Sequence, residues 1–202
     1  MIIFRSFAFV LSFLLLSASA FADAPKGLGV HLGLNFADVS MDSTMNTMST
    51  TGWELGTRCD HEFAPNLFFS PGLQLIQRGF GVDIGLTEVD LKMTYLELPL
   101  LFQARFTGAP VTPYFLMGPV LGLKLGTSCS TATGGDCGAL YDKGQTKSTH
   151  MGLDFGGGVI FPLESGSGIT AELRYHLGLT KITDGLADAH HRGLLIDVGY
   201  LF

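Results

Sequence analysis

The run from Leu91 to Leu125 decides the fold: LKMTYLELPLLFQARF (91–106), TGAPVTP (107–113), YFLMGPVLGLKL (114–125). In the first limb Leu96, Leu98, Leu100, Phe102, Ala104 and Phe106 share one parity, and Tyr95, Glu97, Pro99, Leu101, Gln103 and Arg105 take the other. A side-chain period of two is that of a strand. The second limb repeats it, setting Phe115, Met117, Leu121, Leu123 and Leu125 against Gly118, Gly122, Lys124 and Gly126. Soluble strands average roughly 5 to 6 residues, whereas each limb reaches the roughly 9 to 11 needed to cross a bilayer at a tilt.

Working outward, the same alternation recurs in KGLGVHLGLNFA (26–37), GWELGTRCD (52–60), LFFSPGLQLIQR (67–78), HMGLDFGGGVIF (150–161), ITAELRYHLGLT (169–180) and GLLIDVGYLF (193–202). With the central hairpin this makes eight strands. The predicted connections 38–50, 62–66, 79–90, 107–112, 127–148, 162–168 and 180–192 alternate between long and short. That meander predicts an all-β, eight-stranded, antiparallel up-and-down transmembrane barrel, with short turns and both termini on the periplasmic side. Pro71, Pro99 and Pro119 fall inside strands, where each removes a ladder donor, so bulges are expected there.

Residues 1–22, MIIFRSFAFVLSFLLLSASAFA, carry one basic residue, Arg5, then an apolar run and an Ala20-Phe21-Ala22 ending. This is the pattern of a cleaved secretory signal peptide, and the apolar run is shorter than the roughly 20 residues of a spanning helix. The expected organisation is a signal at 1–22 and one barrel domain at 23–202. The whole chain has 12 Lys+Arg against 18 Asp+Glu, a net charge of −6. Mild acidity argues against nucleic acid as a partner, because binding phosphates needs clustered cations.

Alternation alone does not say which face is inside, since a soluble barrel and a membrane barrel are inversions of each other. Volume decides it. An eight-stranded barrel has an interior just wide enough for ordinary side chains, and the leucine-rich parity carries far more bulk than that. The other parity is rich in glycine and charge, so it points inward and the leucine face meets outer-membrane lipid. Only a closed sheet satisfies every backbone donor and acceptor in hydrocarbon. Trp53, Phe36, Phe106, Phe161, Tyr200 and Phe202 lie where interfacial aromatic girdles are expected.

Taken together, YLELPLL (95–101), PYFLMGPVLGLKL (113–125), FFSPGLQLIQRGF (68–80), GLDFGGGVIFPL (152–163) and ITAELRYHLGLT (169–180) resemble the porin-family (PorT-like, OmpA-like) outer-membrane β-barrel domain of Gram-negative bacteria. The resemblance covers the chain beyond its first twenty-odd residues and implies a fold and a cell-envelope location, while the family shares a barrel and no single activity. The terminal Phe202, with Tyr200 before it, resembles the C-terminal signal read by the barrel-assembly machinery, although Asp197 stands where that signal usually has a glycine.

The inward parity collects the acids Glu54, Asp60, Glu97, Asp154, Glu172 and Asp197 and the bases Arg58, Arg78, Arg105, Lys124 and Arg174. Charges in a narrow lumen are expensive unless paired. They form either an ion-pair network that plugs the barrel or the lining of a small-solute or ion pore. His31, His150 and His176 share that parity, but no nucleophile stands beside them in a recognisable motif, so no enzymatic activity is expected. His190 and His191 with Asp184 and Asp188 are read as a solvated loop, with no metal and no cofactor.

Cys129 and Cys137 bracket a short stretch of the longest loop, and export favours a disulfide bond there. Closing nine residues stabilises by about 2.5 kcal/mol in the chain-entropy picture. Cys59 is expected as a free, lipid-facing thiol. The expectation is a monomeric, non-catalytic structural or surface-interaction protein, its long loops open to an extracellular ligand.

Overall fold

The computed structural model describes residues 27–41, 47–83, 88–108, 110–131, 147–181 and 189–202. The predicted signal segment, Cys137, Asp184 and Asp188 lie outside the described residues. The elements are β1 (Leu28–Met41), β2 (Thr47–Cys59), β3 (His61–Ala64), β4 (Leu67–Asp83), β5 (Glu88–Arg105), β6 (Thr112–Thr131), β7 (Thr149–Pro162), β8 (Gly168–Gly178) and β9 (Ala189–Leu201).

Every neighbouring pair is antiparallel, and the sheet closes because β1 pairs with β9 and β2 also pairs with β4. β3 continues the line of β2 past Asp60 and lies on the same neighbour, β4, so the wall is an eight-stranded barrel. The C-terminal seam is tied where Phe202 N–H donates to Leu28 O at 2.8 Å and Gly27 N–H donates to Phe202 O at 3.1 Å.

The strands are longer than the alternation predicts. The β4–β5 ladder runs to Asp83↔Glu88 and the β1–β9 ladder to Met41↔Ala189. Most of the expected connections 38–50 and 79–90, and the last four residues of 180–192, are therefore wall. In these segments the leucine alternation fades because the outward face has left hydrocarbon. The 20 residues of β6 span roughly 66 Å at about 3.3 Å each, or about 50 Å of height at a 40° tilt, twice the roughly 25 Å apolar band of such barrels.

The expected bulges at the prolines are not found. Leu100, Val120 and Leu153 face Pro71, Pro99 and Pro119 in register, and the same register continues on both sides. Small neighbours lie close beside the prolines: a Cβ on Gly72 would sit 3.1 Å from Pro99 Cγ, and one on Gly118, next to Pro119, would sit 2.1 Å from Leu100 O. The register shifts occur instead between Ser49 and Glu54, between Glu62 and Ala64, and between Thr94 and Tyr95.

Side chains divide as the volume argument requires. Leu34, Leu55, Leu73, Leu98, Phe102, Phe115, Leu173 and Ile196 are exposed on the outside, while Glu54, Arg78, Glu97, Asp154, Arg174 and Asp197 are buried within. Two-residue turn Pro65-Asn66 joins β3 to β4, with Asn66 at φ 64°, a left-handed conformation that asparagine tolerates.

Candidate functional site: the charged lumen

At the end that carries Gly27 and Phe202, Asp60 lies between two guanidinium groups. Arg105 Nη2 bonds its Oδ2, and Arg58 Nε is 3.6 Å from its Oδ1. Arg105 also donates to Gln103 Oε1 at 3.0 Å and stacks 3.7 Å from the Phe68 ring centroid. One layer deeper, Glu172 Oε2 accepts from Arg58 Nη1 at 2.7 Å and from the Tyr114 hydroxyl at 2.6 Å.

Arg174 is the hub of the middle layer. Its guanidinium contacts Glu54, and it lies 2.9 Å from Asp197 Oδ2, 2.8 Å from Glu172 Oε1 and 3.4 Å from Asp154 Oδ2. Two imidazoles join it: His31 Nε2 is 3.1 Å from Glu54 Oε1, and His176 Nδ1 is 2.6 Å from Asp154 Oδ1. In the layer above, Arg78 binds Glu97 through Nε at 2.8 Å and Nη2 at 3.1 Å, and Gln74 donates to the same carboxylate at 2.9 Å.

The histidine above Glu97 belongs to an aromatic stack that the linear reading did not assemble. His150 Nε2 is 3.1 Å from Glu97 Oε1, its ring meets Tyr95 edge-on at 4.6 Å, and His176 and His191 lie at 5.7 and 5.9 Å. His191 is 1% exposed, with Nε2 3.2 Å from the Tyr95 hydroxyl. This overturns the expectation of a solvated loop at that residue. The signal is present, since His191 shares the parity of Gly193, Leu195 and Asp197, but the expected strand begins at Gly193, two residues too late to include it. Among the described residues no group of three or more His, Cys, Asp or Glu is arranged to hold a metal ion.

Apolar side chains pack against these layers. Leu101, Tyr114, Leu116 and Ile160 cluster at the terminal end, with Leu201 against them. Ile76, Leu91, Met93, Tyr95 and Leu195 cluster at the other, with Phe80 and Cys129 against them. The Thr94/Tyr95 bulge flips the face of β6 beyond Leu125 and so puts Cys129 opposite Leu91. Lys124 stands beside that bulge, opposite Tyr95 in the register and half-exposed, above the carboxylate layers. Inward glycines make the room: a Cβ on Gly122 would fall 2.1 Å from the His150 ring.

Elsewhere, Cys59 is an exposed free thiol at the end of β2, opposite Leu28. The Tyr200 and Phe202 rings meet at 4.8 Å, and the Tyr200 hydroxyl donates to Ser167 Oγ at 2.8 Å.

The family model described as outer membrane protein beta-barrel domain matches residues 21–184. The chain belongs to that family. No curated protein matches it. Among solved structures this outer-membrane barrel is similar to Ail, the attachment invasion locus protein of Yersinia pestis, in complex with the heparin analogue sucrose octasulfate, at 20% identity over 88% of this chain and 100% of that one, TM-score 0.44. It is similar to Neisserial surface protein A at 18% identity over 87% and 97%, TM-score 0.48. It is also similar to OprG from Pseudomonas aeruginosa at 16% identity over 88% and 97%, TM-score 0.49. Membership places the barrel in the outer membrane of a Gram-negative bacterium. The end with Gly27, Phe202 and the shorter connections is then periplasmic.

Proposed function

We propose that this outer-membrane barrel is a charge-plugged, non-catalytic envelope protein whose role is structural or is exercised through its extracellular loops. The observation that carries the proposal is the arrangement around Arg174: four carboxylates converge on one guanidinium, and apolar clusters pack against the charged layers. An ion path needs mobile water and partly free charges along its length. Each of these carboxylates is instead held by a cation, and separating any pair would leave an uncompensated ion in a low-dielectric interior.

In the same proposal residues 1–22 are removed on export, Tyr200 and Phe202 present the chain to the barrel-assembly machinery, Cys129 pairs with Cys137, and the mature barrel is a monomer. The ion-pair residues Glu54, Arg58, Asp60, Arg78, Glu97, Arg105, Asp154, Glu172, Arg174 and Asp197 act as the plug, with Lys124 at its upper edge. No cofactor is assigned.

Planar-bilayer recording of the refolded protein tests the plug. The expected record is silent. Steady openings that disappear when Arg105 or Glu97 is replaced would instead establish the small-solute or ion pore.

A further inference from the structure

Three buried imidazoles meet inside the barrel, one each from β7, β8 and β9: His150, His176 and His191. His150 touches the other two rings, and Tyr95 meets His150 and His191 edge-on. Each ring is engaged through one nitrogen only. His176 places Nδ1 on Asp154 and His191 places Nε2 on Tyr95, while among the described residues nothing pairs with His176 Nε2 or His191 Nδ1. His150 Nε2 lies 3.1 Å from Glu97 Oε1, and its Nδ1 is likewise without a partner. One engaged nitrogen suits a neutral imidazole, because only the protonated ring carries two N–H donors.

The charges around the rings disfavour another cation. Arg78 of β4 lies near all three, and its Nη1 already lacks a hydrogen-bond partner. Lys124 of β6 stands opposite Tyr95 in the register. The facing carboxylates are Glu97 of β5 and Asp154 of β7, and both are shared. Glu97 is held by Arg78 and approached by His150, while Asp154 meets His176 through Oδ1 and Arg174 of β8 through Oδ2. Asp197 of β9, Glu54 of β2 and Glu172 of β8 lie one layer down on Arg174, with His31 of β1 beside Glu54. A proton on His150 or His176 therefore sets an imidazolium against a guanidinium for one carboxylate. A second proton sets two cations in ring contact, each with a buried N–H that nothing accepts.

We propose that His150, His176 and His191 form an acid-operated gate: uncharged at neutral pH they leave the plug closed, and their protonation opens the lumen to small ions. The inference rests on the plugged lumen proposed above. Charged His150 draws Glu97 from Arg78, and charged His176 draws Asp154 from Arg174. His191 faces no carboxylate of its own within bonding distance, so its charge pushes it off Tyr95, a member of the extracellular apolar cluster. His31 stands outside the gate, because Glu54, Asp197 and Glu172 surround it and offset a charge there. Clusters of histidine act in this way where protonation flips a packed contact near pH 5 to 6.

The test is planar-bilayer recording of the refolded protein at neutral pH and at about pH 5. The expected record is silent at neutral pH and shows openings in acid. His150→Gln together with His191→Gln, checked for folding by heat-modifiable gel mobility, lowers the open fraction at about pH 5 by roughly tenfold. His61→Gln, on exposed β3, leaves it unchanged. A measurement on the unaltered barrel accompanies the variants: ring-nitrogen NMR of labelled histidine shows these rings neutral at neutral pH and protonated in acid. Silence at both pH values overturns the gate alone, whereas openings at neutral pH overturn the plug with it. Acid openings undiminished in the folded double variant, or imidazolium signals from these rings at neutral pH, also overturn the gate.

Discussion

Arg78 grips Glu97 through two parallel hydrogen bonds, Nε to Oε1 at 2.8 Å and Nη2 to Oε2 at 3.1 Å, with both side chains fully removed from solvent. The planar fork matches the carboxylate, and charge-assisted bonds of this geometry are about twice as strong as neutral ones. The pair also anchors its surroundings, since Gln74 and His150 both reach the same carboxylate.

Removing one member leaves the other buried and uncompensated. Glu97→Gln is expected to destabilise the refolded barrel by about 3–5 kcal/mol, whereas replacing both residues with Arg78→Met and Glu97→Leu recovers most of that loss. Urea unfolding followed through the single tryptophan, Trp53, provides the measurement. A double variant as unstable as the single one would show that the pair does more than neutralise itself.

Gly33 faces the carboxylate of Asp197 so closely that a Cβ would fall 1.9 Å from Oδ1 and 2.5 Å from Ile196 O. Gly33→Ala therefore forces backbone as well as side chain to move, at an expected cost of about 1–3 kcal/mol. Gly126 has nothing within 4 Å of its ideal Cβ, so Gly126→Ala is the neutral comparison. The two are distinguished by their urea midpoints in the same micelles.

Of the 3 cysteines, Cys59 is free. With Cys129 and Cys137 joined, maleimide added to the unfolded, unreduced protein labels one thiol, and prior reduction raises the count to three. Three labels before reduction would refute the disulfide.

The two apolar clusters inside the barrel make a separate expectation about conductance. If they are what seals the lumen, Leu195→Ala together with Ile76→Ala loosens the extracellular cluster, and Leu116→Ala together with Ile160→Ala loosens the periplasmic one. Each double variant alone stays silent in planar bilayers, because the Arg174 layer remains closed between them. Brief openings from a single cluster variant would place the seal in the apolar cluster and not in the charges.

Leu98 is 40% exposed on the outer wall. Leu98→Arg puts a cation into hydrocarbon, at an expected cost of about 2–4 kcal/mol near the bilayer midplane. Lipid-vesicle refolding yields report it, and an unaffected yield would mean that this surface is not in contact with lipid.

The period of two is a local property, carried by each strand independently, and it was enough to determine a closed sheet, its strand count and which parity faces lipid. It also placed Glu54, Arg58, Arg78, Glu97, Arg105, Asp154, Glu172, Arg174 and Asp197 on the inner face. The same alternation stopped marking strands where the wall leaves hydrocarbon, so β4, β5 and β9 were drawn short and His191 was left outside.

Only the tertiary structure decided which charge meets which. Arg58 reaches Glu172 across 114 positions and Arg174 reaches Glu54 across 120, contacts fixed by how the ladder closes around the barrel. The Thr94/Tyr95 bulge, which turns Cys129 toward the extracellular cluster, and the unbroken register past Pro71, Pro99 and Pro119 are likewise properties of paired strands. A strand's own residues specify the faces it has; the neighbour it is hydrogen-bonded to specifies the height at which each face meets the others.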